Sequence, residues 1–114
     1  MTSAFYVNEL ICWGSNGSIE DVLSRAADLS AEMFGTDDPL SIFLAEERKQ
    51  YWTGKTINLQ APAVSLDRVA AVLDGARERA IVSGTFSEHG ISWLNESLAD
   101  FCRQVRCAAQ SGEG

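Results

Sequence analysis

The feature that most constrains this chain is the alternation between stretches with helical spacing of apolar residues and short runs of β-prone residues. Apolar side chains recur at helical intervals from Ile91 to Ala108, which makes this the clearest helix. Two earlier stretches behave alike: Ile19 to Phe34 follows a capping Ser18, and Leu66 to Ala80 follows a capping Ser65. Such alternation predicts an α+β fold.

The runs between these helices predict short strands. The first, Phe5 to Trp13, ends at the turn Gly14 to Gly17. Leu40 to Ala45 favours a buried strand, although Asp38 and Pro39 are also suited to capping a helix there. Gln50 to Thr53 and Thr56 to Leu59 are predicted to form one extended segment or a tight hairpin. A further short strand is predicted over Ala80 to Phe86.

The predicted order is strand, helix, strand, strand, helix, strand, helix. This is the split pattern of a ferredoxin-like two-layer sandwich with one extra C-terminal helix. A length of 114 residues with 46% hydrophobic residues suits one core, so residues 1–108 are predicted to form a single domain and 109–114 a flexible tail. The architecture itself does not specify a function.

Charge is concentrated in the first part of the chain. The formal net charge is −7, and residues 1–45 hold seven acidic residues but only one base, Arg25. Binding to nucleic acid needs clustered Lys and Arg to neutralise phosphates, so this class of partner is not expected. A basic protein surface is the better electrostatic match.

Composition also predicts a cellular setting. No apolar run approaches the length that crosses a bilayer, and the first residues lack the basic and apolar segments of an export signal. Cys12, Cys102 and Cys107 are an odd number without zinc-type spacing, which is typical of a compartment where thiols stay reduced. We therefore expect a cytoplasmic protein.

Acidic residues of the first helix, together with the acids that follow it, are the leading candidates for a partner-binding surface. These acidic residues lie on the predicted solvent-facing side of that helix or directly after it, where they could contact a basic partner. The alternative interpretation is a solvated face that only aids solubility. Exposed aromatic residues typically anchor interfaces, although both tryptophans chosen here are also compatible with the edge of the core. The predicted partner-binding residues are Glu20, Asp21, Asp28, Glu32, Asp37, Asp38, Trp52 and Trp93.

A weaker ligand-binding prediction concerns the glycine-rich turn before the first helix. Backbone amides at a helix start suit an anion, but the turn lacks the lysine of a phosphate-binding loop, and Glu20 and Asp21 would repel an anion. An ordinary turn with a helix cap is the alternative interpretation. The candidate residues are Gly14, Ser15, Asn16, Gly17, Ser18 and His89.

No catalytic or metal-binding constellation emerges from the sequence. Pairing His89 with Cys102 or Cys107 would resemble a nucleophilic dyad, but Cys102 falls on an apolar helix face. A single histidine without a carboxylate cluster predicts no metal site, and no cofactor is expected.

The sequence-based hypothesis is therefore a non-enzymatic protein-binding module. Its most specific form is an acidic inhibitor or immunity-type protein that neutralises a basic partner such as a bacterial toxin. The alternatives are a small-ligand binder or enzyme that uses a crevice near Gly14 to Ser18, and a subunit of a homo-oligomer such as a homodimer.

Overall fold

The first apolar run folds into two strands instead of the single predicted strand. In a computed structural model that describes residues 2–110, β1 (Thr2–Val7) and β2 (Leu10–Ser15) pair in antiparallel fashion. Asn8 and Glu9 form the turn between them, and Asn8 has a φ of 53°. Asparagine tolerates this left-handed conformation better than most residues, which explains why the chain reverses here.

A third strand completes a mixed sheet. The strand β3 (Thr56–Asn58) pairs in parallel with β1, so the strand order is β2-β1-β3. It lies within the extended segment predicted over Thr56 to Leu59, whereas Gln50 to Thr53 contains no strand. The tip of the hairpin is tied to the chain after β3, because Asn8 and Gln60 exchange hydrogen bonds of 2.7 Å in both directions.

Helices account for most of the remaining chain. The helix α1 begins at Asn16 because Ser15, not Ser18, accepts a hydrogen bond from the N–H of Ser18 and acts as the cap. The last helical run is continuous and contains a π-helical turn in its middle. The helical segments are α1 (Asn16–Phe34), α2 (Pro39–Lys49), α3 (Leu66–Ser83), α4 (Glu88–Trp93), the π turn (Leu94–Leu98) and α5 (Ala99–Gln110).

Residues 40–45 belong to helix α2, so the predicted strand is wrong. The carboxylate of Asp38 accepts a hydrogen bond of 3.0 Å from the N–H of Leu40, and Pro39 occupies the first helical position. Both features favour a helix start. Leu40 and Leu44 then lie one turn apart and are both buried, so a short apolar run that suits a strand also suits one face of a helix.

The predicted strand over Ala80 to Phe86 is also wrong. Helix α3 continues to Ser83 and ends at Gly84, whose φ of 71° is the left-handed conformation that glycine supplies without strain. The resulting order is strand, strand, helix, helix, strand, helix and the final helical run. The fold is α+β as predicted, but its strand and helix order is not ferredoxin-like.

The core lies between one face of the sheet and the helices. Phe5, Cys12 and Ile57 share that face and are almost fully buried. Helix α1 packs against β1 and β2, and α5 packs against β2 and α3. Helix α5 extends through Ala109 and Gln110, which were predicted to belong to the tail, and residues 111–114 lie outside the described part of the chain.

Candidate functional site

The two faces of the sheet differ sharply in exposure. Opposite the core, the three strands present what we call the outer face, where Ile11 and Trp13 are 53% and 56% exposed. Their cross-strand neighbours are Tyr6, which is half-buried, and Ala4, which is fully buried, and no outer-face residue carries a charge. The outer face consists of Thr2, Ala4, Tyr6, Ile11, Trp13, Ser15, Thr56 and Asn58. Exposed large apolar side chains on an uncharged surface are typical of interaction sites.

Ile11 and Trp13 were not among the binding residues predicted from the sequence. The prediction of one strand over Phe5 to Trp13 did not consider which of its residues would be exposed. The signal that could have revealed two strands is the polar pair Asn8 and Glu9 between two apolar runs, which is the pattern of a tight hairpin. Once the turn is placed there, alternation puts Cys12 on one face and its neighbours on the other.

The free edge of β2 adjoins the outer face. Ala4 and Tyr6 direct backbone groups to the other side of β1, because Ala4 donates to the Lys55 carbonyl and the Tyr6 carbonyl accepts from Leu59. In an antiparallel pair, their partners Trp13 and Ile11 must then point their own N–H and C=O groups away from β1. Strand β2 therefore presents backbone donors and acceptors at an open edge.

Trp93 covers part of this edge. Its indole Nε1 donates a hydrogen bond of 2.7 Å to the carbonyl oxygen of Trp13. Gly14 makes the approach possible, because a Cβ at that position would lie 2.7 Å from Cζ2 of Trp93. Trp93 is the last residue before the π turn, and such turns often occur at functional positions in helices.

Four of the predicted acidic partner-binding residues are paired within the chain. Asp21 contacts Arg25 at 2.5 Å, and each of the other three reaches an arginine of a different helix. Asp28 lies 2.9 Å from Arg48, Glu32 lies 2.7 Å from Arg79, and Asp38 lies 2.6 Å from Arg68. These arginines partly neutralise the predicted acidic surface, which we call the acidic strip: Glu20, Asp21, Asp28, Glu32, Asp37 and Asp38.

Glu32 is the acid whose titration is most clearly affected. Arg79 donates to both of its carboxylate oxygens, and this hydrogen bonding lowers the pKa of Glu32. Glu20 and Asp37 differ from this group, since both are exposed and neither forms an ion pair within residues 2–110. These two residues retain the character predicted for the strip.

The predicted aromatic anchors have different environments. Trp52 is 61% exposed, in the loop before β3. The neighbouring Tyr51 points inward, where its hydroxyl contacts Ser3 Oγ at 2.6 Å and donates to the Asn16 carbonyl at 3.1 Å. Trp93 is partly buried and packs against the core as well as β2. Trp52 therefore remains a candidate contact residue, whereas Trp93 has a structural partner.

The structure brings some of the predicted ligand-binding residues together in a cleft. A cleft of about 310 Å³ lies between the starts of α1 and α4, and three of the six predicted residues line it. Of the others, Gly14 lies beneath Trp93, the Asn16 side chain accepts from Ser3 and from the Gly54 N–H, and His89 is exposed outside the lining. The cleft is lined by Ser15, Gly17, Ser18, Asp21, Thr85, Phe86, Ser87 and Gly90.

Two of the three cysteines are buried. Burial raises the pKa of both Cys12 and Cys102 to about 12, so these thiols are protonated at neutral pH. Cys107 is exposed on α5. Within the described residues, no group of three or more His, Cys, Asp or Glu side chains is placed to hold a metal ion.

Residues 2–110 contain no helix that is both long and apolar enough to span a membrane. Comparisons of the sequence with protein-family models and with curated proteins, and of the fold with solved structures, found no match.

Proposed function

We propose that this chain is an acidic protein-binding module that uses the outer face of its sheet to engage a basic protein. In its most specific form it is an immunity-type inhibitor that neutralises a partner such as a bacterial toxin. The observation that carries the proposal is the exposure of Ile11 and Trp13, which are 53% and 56% accessible on an uncharged surface. A partner that covers them gains roughly 25 cal/mol for each Å² of apolar area removed from water.

The charge balance supports a basic partner. Seven of the nine basic residues form ion pairs within the chain, which leaves Lys49 and Arg106 as the basic residues outside ion pairs among residues 2–110. The unpaired charge is therefore mainly acidic, and Glu20 and Asp37 belong to it. Such a field accelerates encounter with a basic protein, and moderate salt weakens it.

The decisive test is affinity capture from the source cells with three versions of the purified protein. The first is wild type, the second carries Ile11→Thr and Trp13→Ser, and the third carries Ile42→Thr and Val82→Ser. The third is the matched control, because it removes two exposed apolar side chains, on α2 and α3, that lie outside the outer face. We expect wild type and the control to retain one basic protein that the double variant loses, with capture decreasing as salt increases.

The inhibitor form of the proposal needs a second measurement on the captured protein. Its activity should be blocked by wild type and by the control variant, and should be restored with the outer-face variant. The proposal is wrong if every captured protein binds all three versions equally, or if the protein that depends on Ile11 and Trp13 is itself acidic.

Charge variants test the electrostatic part separately. Glu20→Lys and Asp37→Lys alter acids that form no ion pair with residues 2–110, so they should slow association with the basic partner while leaving the outer face intact. Asp67→Lys on α3 supplies an equal change of charge at an exposed acid outside the predicted strip. An equal reduction by all three variants would indicate an effect of net charge alone.

A second candidate function is the binding of a small polar ligand in the cleft between α1 and α4. The lining supplies the hydroxyls of Ser15, Ser18, Thr85 and Ser87. The carboxylate of Asp21 in the same lining disfavours an anion and leaves a neutral, hydroxyl-bearing ligand as the better match. A thermal-shift panel of sugars and their phosphates tests this function, with Ser18→Ala expected to abolish any shift.

A further inference from the structure

We propose that the open edge of β2 is a pairing surface for a second copy of this chain, and that the Trp93 indole holds this edge closed. The inference is independent of the protein partner proposed above, because it concerns the purified chain alone. At this edge, the N–H and C=O groups of Ile11 and Trp13 point away from β1. The Trp13 carbonyl is the acceptor that Trp93 occupies, at 2.7 Å.

Strand geometry selects the register in which two copies would pair. In an antiparallel arrangement that places Ile11 of one copy opposite Trp13 of the other, the N–H of Ile11 donates to the Trp13 carbonyl. The N–H of Trp13 donates in turn to the Ile11 carbonyl, and the two-fold axis repeats both bonds. This register uses all the outward polar groups of the two residues. Half of its hydrogen bonds need the carbonyl that Trp93 already occupies.

A second copy can pair at this edge without repulsion between the two paired strands. The net charge of the chain is −7, yet the strand Leu10–Ser15 contains no charged residue. Self-pairing therefore brings no like charges directly opposite each other. It also places Ile11 against Trp13 across the new strand pair, and pairs of aromatic and β-branched side chains stabilise sheets.

The contact between Gly14 and Trp93 shows how the edge is kept closed. Gly14 leaves space for the indole, since a Cβ there would lie within 2.9 Å of both Cζ2 and Cε2 of Trp93. The ring can therefore lie against β2 while its N–H reaches the Trp13 carbonyl. Covering an edge with a side chain or a helix is a common way for proteins to avoid unwanted strand addition.

The test is the solution mass of five proteins, measured by light scattering over the micromolar range, with circular dichroism to verify folding. Trp93→Phe keeps an aromatic ring against Gly14 but removes the donor. Gly14→Ala displaces the indole while retaining it in the sequence, so it supplies the same test if Trp93→Phe does not fold. We expect wild type to be monomeric and both variants to show a doubling of mass.

The remaining two proteins show whether the β2 edge is responsible. Adding Ile11→Pro to Trp93→Phe removes an outward N–H without affecting the β1 ladder, and should restore the monomer. Adding Ile11→Val retains that N–H and should leave the dimer intact. The proposal is overturned if wild type already dimerises, if folded Trp93→Phe and Gly14→Ala both remain monomeric, or if Ile11→Pro leaves the dimer unchanged.

Discussion

The inner and outer faces of the sheet are built from alternate residues of the same strands, yet they have opposite roles. On the inner face, Phe5 and Cys12 are 0% and 3% exposed beneath the helices. On the outer face, Ile11 and Trp13 directly flank Cys12 in sequence and are more than half exposed. Apolar character alone therefore does not specify a core position, because the coverage by helices determines which apolar residues become buried.

The largest expected effect comes from Phe5→Ala on the inner face. Removing a fully buried ring leaves a cavity and should reduce the free energy of unfolding by about 3–5 kcal/mol. Trp13→Ala on the outer face should cost about 1 kcal/mol or less. Urea denaturation of both variants measures the difference. Equal losses would mean that the outer face is also part of the stabilising core.

The second prediction concerns Gly14, where the edge of the sheet meets the last helical run. Gly14→Ala should reduce the free energy of unfolding by about 1–3 kcal/mol, because the new methyl group collides with the Trp93 ring. Combining it with Trp93→Ala should remove most of this cost. A double-mutant cycle measures the coupling, and additive losses would show that the contact is not responsible.

The third prediction uses thiol reactivity to compare neighbouring residues on the two faces. In a Cys107→Ser background, Cys12 should react slowly with a thiol reagent at pH 8, since burial raises its pKa to about 12. Ile11→Cys in the same background should add a rapidly reacting thiol. Rapid labelling of Cys12 itself would show that the hairpin opens from the helices.

The same raised pKa values predict how stability depends on alkaline pH. Burial raises the folded-state pKa of Cys12 and Cys102 to about 12, whereas the ordinary pKa of an exposed thiol is 9.0, so the unfolded chain loses these protons first. Stability should be unaffected by these groups below about pH 9 and decrease above it, by up to about 1.4 kcal/mol per pH unit for each thiol. Cys12→Ala should reduce this slope in denaturation measurements made across that range.

The smallest expected effect is at the surface ion pair between Glu32 and Arg79. Arg79→Gln should raise the pKa of Glu32 toward its ordinary value, because the hydrogen bonds that favour the carboxylate are lost. Stability supplied by this pair is present above the unfolded-state pKa and is lost as pH falls through the lower folded-state value. NMR titration of the Glu32 carboxyl measures the shift, and an unchanged midpoint would contradict the pairing.

Part of the fold could be predicted because its signals are local. Ser65 caps α3 as expected, and the predicted C-terminal helix from Ile91 to Ala108 lies within the final helical run. The failures involve competition between local and distant contacts. The apolar residues from Leu40 to Ala45 are compatible with a strand or with a helix. The Asp38 cap and packing against α1 favour the helix that forms. The final predicted strand failed because Gly84, not Ala80, ends the preceding helix.

The candidate site was less predictable than the fold. The acidic residues were chosen from their spacing on one helix, but the arginines that pair with Asp28, Glu32 and Asp38 come from other helices, at sequence separations of 20 to 47 residues. The cleft could not be predicted for the same reason, because its lining joins Ser15, Gly17 and Ser18 to residues near the start of α4. Pairings at such separations depend on how the helices pack.

The sequence by itself determined the α+β class, the amphipathic faces of the long helices and the acidic surplus. These properties depend on residue types and on spacings within a few residues along the chain. Only the tertiary structure decided that Ile11 and Trp13 are exposed, that Arg side chains neutralise much of the acidic strip, and that Trp93 covers the β2 edge, with 80 residues between donor and acceptor. The physical reason is that burial and edge protection depend on what packs against a strand, which the strand's own residues do not encode.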